Sequence, residues 1–137
     1  MIRRETRSRA RALQMLYAWE LQGVSPLPDV ATGIARITGP EPAVFEGAER
    51  LAQGVIEDAD VLDREVEEAT DNWRLERMGV VERIILRLGI HELRTGEVPP
   101  KVVIDEAVRL AHWFGGARAP GFVNGVLDRV AHTLGRL

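Results

Sequence analysis

The sequence predicts an all-α fold, and three observations predict it. Apolar residues recur at helical spacing in every long segment. Gly and Pro gather in short breaks between those segments. No stretch shows the alternation of a half-buried strand. The chain has 137 residues, 45% of them apolar. That is one domain, spanning 1–137, large enough to fold on its own core. The expected architecture is a compact bundle of six to seven helices with short loops.

The first helix runs from Arg4 to Gln22, a stretch without Gly or Pro. Leu13, Leu16, Tyr17 and Leu21 keep helical spacing, and Ala12 and Trp19 widen the apolar face. A helix apolar on so many sides runs through the middle of a bundle. Arg4, Arg7 and Arg11 share one stripe at its start. The helix should begin as a solvated basic arm and end as core. Gly23 stops it, and a loop leads to a short helix over 29–38. After Gly39-Pro-Glu-Pro, residues 43–58 keep helical spacing. Residues 58–71 form a weaker amphipathic helix with an anionic outer face. Met78 to Thr95 is apolar almost all round and reads as a second central helix. Its polar residues Arg83, Arg87, His91 and Arg94 line one stripe. Val98-Pro-Pro-Lys is a rigid turn, with Pro favoured where the next helix opens. Val102 to Phe114 follows, with Asp105 and Arg109 as an i,i+4 pair. A glycine-rich loop, 115–121, precedes the last helix, which begins at Phe122.

Composition excludes several classes of function. The absence of cysteine excludes disulfides, thiolate zinc sites and a cysteine nucleophile. No apolar run approaches the ~20 residues of a membrane span. Nor does the N-terminus read as a secretory signal. A cytoplasmic protein is expected. The three histidines lack metal-ligand spacing and read as surface or partly buried helix residues. Neither glycine-rich stretch has the pattern of a phosphate-cradling loop. Neighbouring acids such as Glu67 and Glu68 point to different helix faces. No catalytic site, metal or cofactor is expected.

The net charge of −3 conceals blocks. Residues 1–11 carry +4, residues 12–71 carry −10, and residues 72–137 carry +3. A local basic footprint matters more for binding than the total. Three features point to a polyanion. One is the arm from Arg3 to Arg11. The second is Arg118, in a loop whose backbone N–H groups meet a helix N-terminus. The third is Phe122, which by position alone favours the core but, if exposed, offers a ring to an unpaired base. Asn124 and Gly125 read as structural: Gly admits a neighbouring helix, and Asn bonds nearby backbone. The acidic block, 41–71, would repel RNA and bound its footprint.

Four stretches carry a resemblance. They are Arg9-Ala-Arg-Ala-Leu-Gln-Met-Leu-Tyr-Ala-Trp-Glu-Leu21, Val81-Glu-Arg-Ile-Ile-Leu-Arg-Leu-Gly-Ile-His-Glu-Leu93, Val98-Pro-Pro-Lys-Val-Val-Ile-Asp-Glu-Ala-Val-Arg-Leu-Ala111 and Phe122-Val-Asn-Gly-Val-Leu-Asp128. In order and spacing the chain resembles the NusB family of bacterial transcription antitermination factors. Residues 25–72 are the least characteristic part. The resemblance implies two packed helical subdomains and no enzymatic activity. It implies binding of boxA RNA from ribosomal operons, together with a small-subunit ribosomal protein, NusE. That pair joins other Nus factors on elongating RNA polymerase. By position, Arg4, Arg7 and Arg9 match the RNA-contacting arm, and Arg11, on the same basic stripe as Arg4 and Arg7, is a further RNA-binding candidate. Lys101, Arg118 and Phe122 match the adjoining RNA surface. Tyr17, Glu76 and Glu82 match the face toward the ribosomal protein. Glu5 and Thr6 interrupt the arm, which should cost phosphate affinity, while Arg118 should add some. Two other readings stand beside this one. A related module occurs in ribosomal-RNA methyltransferases, although this chain has no strand signals for a cofactor domain. A helical protein could also self-associate as a homodimer through exposed Trp or Tyr.

Overall fold

The computed structural model describes residues 2–23, 26–70 and 78–137. They form seven α-helices: α1 (Arg4–Gln22), α2 (Leu27–Thr38), α3 (Pro42–Glu57), α4 (Ala59–Ala69), α5 (Val80–Thr95), α6 (Pro100–Phe114) and α7 (Ala119–Thr133). There is no strand among the described residues. The helices divide into two compact units, Met1–Glu57 and Asp58–Leu137.

In the first unit α1 packs on α3 and α2. Its buried face is Ala12, Leu13, Met15 and Leu16, opposed by Val44, Phe45, Ala48 and Ala52 of α3. The two helices approach closely at Ser8. The Ser8 hydroxyl donates to the Val44 carbonyl at 2.9 Å. A Cβ on Gly47 would stand 2.8 Å from that hydroxyl oxygen, so only glycine fits there without a shift. The solvated arm is therefore shorter than the charge pattern suggests. Thr6, Ser8 and Arg9 are buried, and exposure runs only through Glu5. The other end of α1 is also reversed from expectation. Leu21 is 67% exposed, Tyr17 is exposed and Trp19 is half-buried. Helical spacing placed these residues on a shared face, but α2 and α3 cover only the middle of it.

In the second unit α5 is central, packing on α4, α6 and α7. Ile84, Ile85, Leu86, Leu88, Ile90 and Leu93 are all buried. Pro100 opens α6 at its first turn, where a missing N–H costs nothing. Gly96 ends α5 in the left-handed conformation (φ 71°), a region costly for other residues.

The polar stripe of α5 faces the acidic helix α4. Arg87 donates from Nε and Nη2 to both carboxylate oxygens of Asp63, at 2.7 and 2.8 Å. Arg94 pairs with Glu65 at 3.4 Å, and His91 lies 4.0 Å from Asp58. Part of the opposition between the −10 and +3 blocks is thus internal ion pairing. The anionic outer face of α4 is reduced to Asp60, Glu67 and Glu68. On α6, Arg109 pairs with Glu106 at 3.5 Å, one turn away, in place of the expected Asp105.

Candidate nucleic-acid interface

The basic residues of α1 fall into three environments. Arg3 and Arg4 are exposed at its start. Arg7 is half-buried: its Nε donates to Glu41 at 3.1 Å and its Nη1 to the Ile2 carbonyl at 2.6 Å. Arg11 is half-buried, with Nη1 donating to Gln14 at 2.8 Å and its buried Nε without a hydrogen-bond partner among the described residues. Arg9 is 7% exposed and engaged. It therefore stands off the exposed stripe, contrary to its expected place on the arm. Arg9 falls two residues after Arg7, about 200° round the helix, and turns inward.

In the second unit Lys101 is exposed in the first turn of α6, and Arg118 is exposed at the start of α7. Phe122 follows one turn later and is 37% exposed. Its position alone had favoured the core. Val123, Val126, Leu127 and Val130 take the buried face of α7, which leaves Phe122 on the outer one. Phe122 borders a surface groove of ≈ 350 Å³ that includes Gly121, Gly125, Arg129 and Thr70. Arg129 donates to the Ala69 carbonyl at 3.1 Å across this side of the unit. Gly125 lies on the same exposed face, and a Cβ there would meet nothing within 4 Å. Among the described residues no helix approaches its Cβ position, so the expected structural role for Gly125 is replaced by an open surface. Asn124 is exposed as well.

The loop before α7 is a poorer anion cradle than its glycine content suggests. The Ala119 N–H donates to the Gly116 carbonyl at 3.0 Å, and Pro120 has no N–H to offer. Any anion held here relies on the Arg118 side chain more than on backbone donors.

Of the residues assigned to the protein partner, Tyr17 is 39% exposed in the first unit. Glu82 is half-buried in the first turn of α5. Glu76 lies outside the described residues. The sequence anticipated exposed Trp or Tyr without saying which; the structure shows it at Trp113, which is 45% exposed. Arg109 sits 6.0 Å from its ring centroid, and Phe114 meets it edge-on at 6.5 Å. The i,i+4 spacing of Arg109 and Trp113 could have signalled this pair.

Among the described residues no cluster of three or more His, Asp or Glu side chains could hold a metal ion. No helix among them is long and apolar enough to cross a membrane. These features define an all-α protein with exposed cationic groups in each unit and, in the second, an exposed ring one turn after Arg118. The NusB family's sequence profile matches residues 6–132. The transcription antitermination protein NusB of Sorangium cellulosum is 46% identical over 130 residues, covering 94% of this chain and 92% of that protein. A solved structure of T. maritima NusB superposes with a TM-score of 0.83 at 32% identity, covering 96% of this chain and 93% of that one. The antitermination factors NusB and NusE solved in complex with dsRNA supply a further match. Its TM-score is 0.84 at 27% identity, over 97% of this chain and 99% of that chain. The chain belongs to the NusB family.

Proposed function

We propose that this protein is a transcription antitermination factor that binds boxA RNA of ribosomal operons together with the ribosomal protein NusE. The pair joins other Nus factors on elongating RNA polymerase. The observation that carries the reading is Phe122, exposed at the start of α7 one turn after exposed Arg118. Arg4, Arg7, Arg11, Lys101 and Arg118 supply cations for phosphates, which position the RNA and make its affinity salt-dependent. Phe122 supplies the ring on which a base of a single strand stacks. Tyr17, Glu82 and Glu76 are the candidate contacts to the ribosomal protein. The chain acts as one RNA-binding domain over 1–137, in the cytoplasm, and performs no catalysis. A NusB–NusE complex solved with dsRNA supports RNA as the ligand class. The choice of a single strand rests on the exposed ring, since a ring stacks on unpaired bases.

A gel-shift titration with the ribosomal protein present tests this. Single-stranded boxA RNA should bind more tightly than a scrambled strand or a boxA duplex. Equal affinity for boxA and scrambled RNA overturns the reading. Arg7→Ala should weaken binding to all strands and flatten the salt slope by about one unit.

A further inference from the structure

Arg7 enters the proposed RNA surface already engaged. Its Nε is 3.1 Å from Oε2 of Glu41, and its Nη1 donates to the Ile2 carbonyl. The two side chains are 37% and 38% exposed, so the pair sits at the protein–water boundary and both ends are reachable. Glu41 is not on a loose loop. It directly precedes Pro42, and its carbonyl accepts the Phe45 N–H at 3.0 Å in the first turn of α3. Its carboxylate is therefore held near the guanidinium by helix α3 packed on α1. A phosphate that reaches Arg7 must displace this carboxylate or sit beside it. In either case two anions compete for one cation.

We infer that Glu41 limits the affinity of the basic arm for RNA phosphate through its pair with Arg7. The inference rests on the RNA-binding reading above. A phosphate contact carries no sequence information, so the penalty falls equally on every RNA. The base contacts must then supply a larger share of the binding that survives. Glu41 thus lowers capture of every RNA by the arm, boxA and unrelated strands alike. This is a different consequence of the acidic block, 41–71, from a remote repulsive face. One member of that block stands inside the cationic site.

The test is a titration of boxA and scrambled single-stranded RNA oligonucleotides against the full chain, with the ribosomal protein present. The variants are Glu41→Gln, Arg7→Ala and the double variant. Glu41→Gln should tighten both RNAs about two- to fivefold, the range of an exposed ion pair. The gain should shrink as salt rises, because the competition is between partly exposed charges. It should vanish in the Arg7→Ala background, since the carboxylate acts through that guanidinium. Glu41→Ala must move in the same direction as Glu41→Gln. Unchanged or weaker binding by both Glu41 variants, with helicity by circular dichroism intact, overturns the inference while leaving the RNA reading standing. If Arg7→Ala alone changes nothing, Arg7 leaves the RNA surface and the inference falls with it.

Discussion

Two glycines in the second unit should respond to the same substitution with opposite signs. Gly89 lies inside α5 and is buried, while Gly125 lies inside α7 on its exposed face. Replacing a mid-helix glycine by alanine recovers about 1 kcal/mol of helix propensity in either case. At Gly125 nothing opposes that gain, because the new Cβ meets no atom within 4 Å. At Gly89 the new Cβ would lie 2.7 Å from Cδ1 of Leu127 and 3.0 Å from its Cδ2. Carbon atoms prefer about 3.5–4.0 Å, so the helices must part or Leu127 must turn. Leu127 is 0% exposed, so any turn it makes must be accommodated inside the core. Overpacking of this kind costs about 1–3 kcal/mol. Gly125→Ala should therefore stabilise the protein by about 0.5–1 kcal/mol. Gly89→Ala should destabilise it by about 1 kcal/mol once the propensity gain is subtracted. The propensity term cancels in the comparison, so the difference between the two variants measures the overpacking alone. Urea unfolding followed by circular dichroism reads both values, with the slopes checked for a shared transition. Equal stability changes in the two variants would refute the argument.

Two further outcomes follow from the geometry. Phe122→Ala should cost about 1–3 kcal/mol of affinity for single-stranded RNA, the range of one base–aromatic stack. Its stability should fall by clearly less than the roughly 3–5 kcal/mol of a fully buried Phe→Ala change, because the ring is already partly in solvent; a full-sized loss of stability with unchanged RNA binding would return Phe122 to the core. Asp63→Ala removes a two-pronged partner of Arg87 from a pair whose side chains are 16% and 24% exposed. That burial lies between surface pairs worth about 0–1 kcal/mol and buried ones costing about 3–5 on disruption. A loss of about 2 kcal/mol in urea unfolding is expected, and a loss under about 0.5 kcal/mol would show the pair to be solvated.

The helices were legible because their signals are local. Helical spacing of apolar residues and the breaks at Gly23, Gly39 and Gly96 depend on chain geometry alone, and the structure keeps those boundaries to within a few residues. The central place of α5 was legible for the same reason, since a helix apolar nearly all round has to be covered nearly all round. The site was legible as a set of cations and one ring. Which of those groups are available was not legible. Arg7, Arg9 and Arg11 follow one another at two-residue steps, yet one is ion-paired, one buried and one half-buried. Spacing says which residues share a face, and it does not say what lies over that face.

The sequence by itself determined an all-α chain with a basic start, an acidic middle and a family signature ending in Phe-Val-Asn-Gly-Val-Leu. Tertiary structure alone decided how the charges are spent. It turned Arg87 and Arg94 toward the carboxylates of α4, and set Glu41 against Arg7. It also placed Phe122 and Gly125 on an open face of α7. The physical reason is range. Backbone propensity acts within a few residues, whereas an ion pair or a covered face depends on groups that only folding brings together, 34 residues apart for Arg7 and Glu41.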